Sequence, residues 1–284
     1  MELKTLNVNT IPMKWFEQGQ GYPVVLVHGI PTSPTLWRYV VPLIPNARSI
    51  VWEMVGYGSS RVQGRGRDIS VAKQAQYLAD FLDEIGITRA IFAGHDLGGG
   101  VIQILAIRRP ELFAGLMLTN SISYDSWPIP SVKSLRSFSS ILKRLPSVFL
   151  KPILKTMFIR GHRSLLEGEE AMSVHWPLYA SRFGMDAFIR QIRSLEVQDT
   201  LTISNRLTEL NVPARIVWGE ADPFQKIEYG ERLASDLNAK LHRIPEGKHF
   251  TPEDHPEEIA KALQELLSEV CSSQNNPSKE GEFQ

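Results

Sequence analysis

The chain opens with two short β-prone runs, LKTLNV (3–8) and PMKWFE (12–17), joined by a Pro-bearing turn. The pattern then becomes continuously apolar. PVVLVHG (23–29), RSIVWEM within 48–60, AIFAG (90–94), GLMLTN (115–120) and PARIVWG (213–219) are short runs, several of them closed by Gly or other turn residues. Runs of this kind predict strands buried on both faces of a parallel sheet. Between them the spacing turns helical: Val71, Ala75, Leu78, Ala79 and Leu82 recur within 69–85, and Leu97–Arg108, 226–237 and 256–270 follow suit. AKLHRI (239–244) predicts one more strand. Alternating strands and helices imply right-handed βαβ units, hence an α/β fold with a mostly parallel, doubly wound sheet.

The alternation stops after about residue 124. Residues 125–205 are Pro-dotted and helical in character, with apolar positions in SVFLKPILKTMFI that suit a covering surface. The expected organisation is one core (1–124 and 206–271) carrying a helical insertion (125–205), with a polar, disordered tail at 272–284.

Composition narrows the function classes. Hydrophobic residues are 43% of the chain, enough for a sizeable core, and 31 basic residues balance 31 acidic ones. A neutral chain lacks the basic surface expected of a nucleic-acid or anionic-membrane partner. Cys271 is the single cysteine, so no internal disulfide forms, which fits a reducing compartment. There is no signal-peptide core and no apolar run near ~18 residues. The expectation is a cytoplasmic enzyme acting on a small molecule, with monomer and homo-oligomer both open.

The candidate chemistry starts at FAGHDLGGGV (92–101). Gly94-His95-Asp96-Leu97-Gly98 lies between a buried strand and a helix, the context of a nucleophile elbow with small residues two places either side. The helix N-terminus there aims its positive end and the Leu97 N–H at residue 96. Asp is also a favoured helix N-cap, so the stretch by itself leaves a capping role open. Two further places bear on the choice. His28-Gly29-Ile30-Pro31 follows an earlier buried strand and offers the Ile30 N–H to an oxyanion site. Asp222 in WGEADPF and His249 in EGKHF each follow a later strand, in the order nucleophile, acid, histidine. Of the other histidines, His95 lies inside the elbow, His242 in a strand, His255 near the last helix, and His162 and His175 in the insertion.

Taken together, HGIPTSPTLWR (28–38), WEMVGYGSS (52–60), GHDLGG (94–99), WGEAD (218–222) and GKHF (247–250) resemble the α/β-hydrolase superfamily. Within it the chain looks like the Asp-nucleophile branch of haloalkane dehalogenases, haloacetate dehalogenases and epoxide hydrolases. The resemblance covers 20–125 and 205–270, and it implies that 125–205 is a helical cap. It further implies that Asp96 attacks a saturated carbon and forms an ester, that His249 activates water to hydrolyse it, and that Asp222 orients His249. An Asp carboxylate, with an ordinary pKa near ~3.9, is already ionised for this attack. No cofactor or metal is implied.

The leaving group is the open question. Haloalkane dehalogenases usually carry Trp after the nucleophile and Asn after His-Gly, whereas this chain has Leu97 and Ile30. Yet the 28–38 stretch resembles the dehalogenase form, and Trp127 or Trp176 offers a halide donor. His175-Trp176 also resembles the fluoride-binding pair of haloacetate dehalogenases, although the carboxylate-binding arginines near the nucleophile are absent. An epoxide hydrolase needs acids in the cap, for which Tyr124, Tyr179 and His175 are candidates. His175 and Tyr179 would share a face on one helix. The loss of Trp at position 97 tips the reading slightly toward an epoxide, with a carbon–halogen bond as the alternative. A cofactor-free lyase or oxygenase on the same fold is a further alternative.

Overall fold

The computed structural model describes residues 1–274. Their strands are β1 (Lys4–Val8), β2 (Ile11–Gln18), β3 (Tyr22–Val27), β4 (Ala47–Glu53), β5 (Ala90–Asp96), β6 (Phe113–Ser121), β7 (Ala214–Gly219) and β8 (Lys240–Ile244). They form one sheet in the order β1-β2-β4-β3-β5-β6-β7-β8. β2 runs antiparallel to both β1 and β4, and every other pairing is parallel. The continuous apolar runs become the central strands. Val24–Val27, Ile91–Ala93, Leu116–Leu118 and Ile216–Trp218 have no solvent exposure. Strands without a polar face need helices on both sides. They receive α1 (Val71–Glu84), α2 (Leu97–Arg108), α9 (Ile227–Asp236) and α11 (Pro256–Gln274). Ser70 caps α1 by accepting the Lys73 N–H. α2 is buried from Leu97 to Ile107, which is why its sequence is apolar all round.

Between β6 and β7 the chain forms α3 (Pro130–Ser137), α4 (Ser139–Leu142), α5 (Lys151–Gly161), α6 (Leu165–His175), α7 (Gly184–Arg193) and α8 (Gln198–Leu201), with no strand among them. This helical insertion folds over the carboxyl edge of the parallel strands. The Gly161 carbonyl accepts the N–H groups of His249 (2.9 Å) and Phe250 (3.1 Å). Asp254, in the short helix α10 (Thr251–Asp254), accepts from His162 Nδ1 and the Arg163 N–H, both at 2.7 Å. Gln191 of α7 donates to the Gly56 carbonyl at 2.8 Å.

Two expectations need correction. The last helix continues to Gln274, so 272–274 are helical rather than tail; Ser273 adds a bond from its hydroxyl to the Val270 carbonyl. The rest of the expected tail, 275–284, lies outside the described residues. In the insertion, His175 and Tyr179 do not share one helix. α6 ends at His175 because Pro177 has no N–H to extend the ladder, and a 3₁₀ turn follows at Trp176–Leu178.

Candidate active site

Parallel strands all end on one edge, and side chains placed just beyond those ends meet there. β5 runs into α2 without a loop, making Asp96 the last strand residue. Its backbone sits at φ 50°, ψ −120°, a region that residues with a Cβ avoid. The small neighbours follow from the packing: a Cβ on Gly94 would lie 2.6 Å from Gly99 Cα, and one on Gly98 would strike the Val27 carbonyl. The Asp96 side chain makes no capping bond to α2. Its Oδ2 accepts the Ile30 N–H at 2.9 Å, across 66 residues. The structure thus removes the helix-cap alternative.

His28 holds the turn that presents Ile30. Its Nδ1 donates to the Gly29 carbonyl (2.9 Å) and its Nε2 accepts the Met54 N–H (3.2 Å). Burial pushes its pKa down to about 4, so the ring is neutral and can fill both roles.

Asp222 and His249 follow β7 and β8. His249 Nδ1 lies 2.8 Å from Asp222 Oδ2. Asp222 Oδ2 also accepts from Asn120 Nδ2 (2.7 Å), and its Oδ1 accepts the Phe224 N–H (2.7 Å). Burial alone would lower the His249 pKa; the charge and hydrogen bond of Asp222, and the charge of Asp96, raise it overall. Burial raises the Asp96 pKa, against the pull of His249 and the N–H groups of Ile30 and Leu97. His95, buried and beside the charge of His249, has its pKa lowered. As a neutral ring its Nε2 donates to the His249 carbonyl at 2.9 Å, fixing that loop from below.

Asp96 and His249 open into a cavity of about 50 Å³, with Ile30, Leu97, Ile122, Trp127, Val132 and Met157 among its walls. A larger apolar trough of about 540 Å³ lies outside, sharing Ile129, Val132, Met157 and Phe224 with the chamber. The insertion residues singled out from sequence fare differently. Trp127 lines the chamber, but its indole N–H donates to Thr200 Oγ1 at 2.7 Å. The other four are not among the chamber's lining residues. The Tyr179 hydroxyl donates to Gln191 (2.9 Å) and that of Tyr124 to Asp236 (2.6 Å). His175 Nε2 meets Glu253 at 3.0 Å, and Trp176 lies under the Lys151 ammonium.

Sequence reasoning missed Asn120 and Gln225. Asn120, at φ 40°, donates to Asp222 and accepts the Gly219 N–H (3.1 Å) and the Thr251 hydroxyl (3.1 Å), tying three strand ends together. Its one visible signal is a polar residue closing the apolar run of β6. Gln225 lines the chamber three residues after Asp222. Among the described residues no group of three His, Cys, Asp or Glu is placed to hold a metal, and no helix is long and apolar enough to cross a membrane.

A mostly parallel sheet, a strained strand–helix elbow and an acid–histidine pair just after β7 and β8 define a hydrolase of the α/β type. The family model of the alpha/beta hydrolase fold matches residues 22–256, and the chain belongs to that family. It is similar to haloalkane dehalogenase 2 of Mycobacterium tuberculosis, at 28% identity over 88% of this chain and 89% of the relative. It is also similar to epoxide hydrolase 3 of Xenopus tropicalis, at 25% identity over 87% of this chain and 71% of the relative. A solved alpha/beta hydrolase fold protein from Burkholderia ambifaria superposes with a TM-score of 0.88 and 27% identity, covering 93% of this chain and 98% of that one.

Proposed function

We propose that this chain hydrolyses a carbon–halogen bond in a small apolar substrate, through an ester on Asp96. The observation that carries this is the Asp96 carboxylate, held by the Ile30 N–H at 2.9 Å in an apolar chamber that it shares with His249. With Oδ2 held by the Ile30 N–H, Oδ1 is the attacking oxygen. It forms a C–O bond while the C–halogen pair leaves with the halide. His249, oriented by Asp222, then takes a proton from water, and the hydroxide adds to the ester carbonyl. The N–H groups of Ile30 and Leu97 stabilise the oxyanion. Collapse releases the alcohol and restores the carboxylate. The sum is R–X + H₂O → R–OH + H⁺ + X⁻.

The sequence alone leans to an epoxide; two observations favour the halide. The dehalogenase is the more similar of the two curated relatives. Ring opening needs an acid to protonate the alkoxide, and Tyr124, Tyr179 and His175 all have other partners and do not line the chamber. A departing halide needs no proton. The trough outside the chamber suits an apolar remainder longer than the reacting end.

The test is the His249→Gln variant incubated with bromoalkanes and epoxides, followed by intact mass and peptide mapping. The expected result is a mass gain of the alkyl group on Asp96 from a bromoalkane. A gain of a whole epoxide would replace the leaving group in this reading. No adduct from any compound, with unchanged turnover in Asp96→Ala, would overturn the covalent mechanism.

A further inference from the structure

The dehalogenation reading leaves one requirement unmet: a donor for the halide as it takes up charge. Leu97 brings no side-chain donor. The Trp127 indole is committed to Thr200 and the Ile30 N–H to Asp96. One other residue with a polar side chain lines the same chamber. Gln225 is 3% exposed, and its Oε1 is buried without a hydrogen-bond partner. Buried amide atoms rarely go unpaired, and those that do call for an explanation. The backbone on either side is anchored. The Gln225 carbonyl accepts the Trp218 indole N–H at 3.0 Å, and Phe224 N–H bonds to Asp222. The same amide carries an NH₂ group, whose N–H bonds are donors suited to an anion in the chamber.

Resting on the carbon–halogen reading above, we propose that Gln225 is the side-chain donor that holds the departing halide. As Asp96 Oδ1 bonds to carbon, the C–X electron pair leaves with the halogen, and Gln225 N–H donates to the resulting anion without giving up its proton. The halide then leaves to solvent.

Two variants of the full chain test this. Gln225→Met keeps the length of the side chain without an N–H, and Gln225→Glu keeps its shape while presenting a carboxylate. Halide release is followed with 1-chlorobutane, 1-bromobutane and 1-iodobutane, together with product inhibition by bromide and a thermal melt. In Gln225→Met, kcat/KM for the chloride falls about tenfold, the size of one neutral hydrogen bond, and less for the iodide. Bromide inhibition weakens in both variants, most in Gln225→Glu. An equal loss across the three halides, with bromide inhibition unchanged, overturns the assignment and makes Gln225 a wall of the chamber. The two readings fail separately. An alkyl adduct in His249→Gln with unchanged bromide inhibition in both variants overturns the role of Gln225 alone. Absence of any alkyl adduct overturns both. If Gln225→Met does not fold, bromide inhibition in Gln225→Glu decides.

Discussion

The carboxyl edge of the sheet and the helical insertion above it use their polar groups in opposite ways. At the edge, polar side chains are few and converge. Asp222 alone joins His249, Asn120 and the Phe224 backbone. In the insertion they are plentiful, and several of them dock it to the core. His162 and His175 reach Glu253 and Asp254, and Gln191 reaches Gly56. Arg38 from the core completes the buried network by pairing with Glu253. The apolar residues differ too. Those of the central strands have no exposure, while Phe138, Ile141 and Val148 of the insertion are more than half exposed. The difference teaches that residue type in the insertion is a poor guide to chemistry: the polar groups singled out there are bonded to one another or to the core, and what it lends the chamber is mainly wall.

The sharpest way to break this comparison is to exchange roles. Asp96→Ala is expected to cut turnover by about 10⁴-fold or more, as removal of a covalent nucleophile does elsewhere. Tyr179→Phe should leave turnover nearly intact, since the hydroxyl serves Gln191. Steady-state halide release compares the two; a comparable loss in Tyr179→Phe would return the chemistry to the insertion.

Glu253→Gln comes next. It leaves Arg38 facing a neutral group and weakens both histidine contacts. Removing one partner of a buried pair costs about 3–5 kcal/mol. A urea titration should show the lowered midpoint, and KM should rise as the insertion loosens over the chamber.

A smaller effect is expected from pH. Burial lowers the His162 pKa, but Asp254 and Glu253 raise it overall, from 6.5 to about 9. Its contribution is therefore fully present below pH 6.5 and is lost as pH rises through about 9. Glu253 works in the other direction. Burial raises its pKa, but His175, His162 and Arg38 bring it below the ordinary 4.5, so its contribution is lost only in acid. The melting temperature should fall between pH 7 and 9.5, and the slope should flatten in His162→Gln. An unchanged slope would show that the docking network does not report through His162. Least of all, Phe138→Ser should shift stability within about 0.5 kcal/mol, because that ring is 62% exposed.

Much of the core was legible beforehand. The strand beginning at Ala90 and the helix Leu97–Arg108 appear where the apolar pattern and the glycines put them. So do the positions of Asp96 at one strand end and of Asp222 and His249 beyond two others, because a parallel sheet collects those ends on one edge. The insertion was legible only as helical. The face shared by His175 and Tyr179 fails because Pro177 ends the helix at His175, before it reaches Tyr179, a local event that periodicity averages away. Gln225 drew no notice because an amide in a loop has no pattern of its own.

By itself the sequence determined where the buried strands, the elbow and the residues just past the strand ends lie. Those features depend on near neighbours: apolar runs, turn glycines and the spacing of side chains along one element. The tertiary structure alone decided which polar groups remain available. Trp127 is taken by Thr200, Tyr124 by Asp236 and His175 by Glu253, each partner at least 73 residues away. A hydrogen bond satisfies its donor wherever in the chain the acceptor originates, so availability is a property of the folded chamber rather than of any stretch of sequence. In that chamber the same rule singles out Gln225, whose Oε1 is buried without a hydrogen-bond partner.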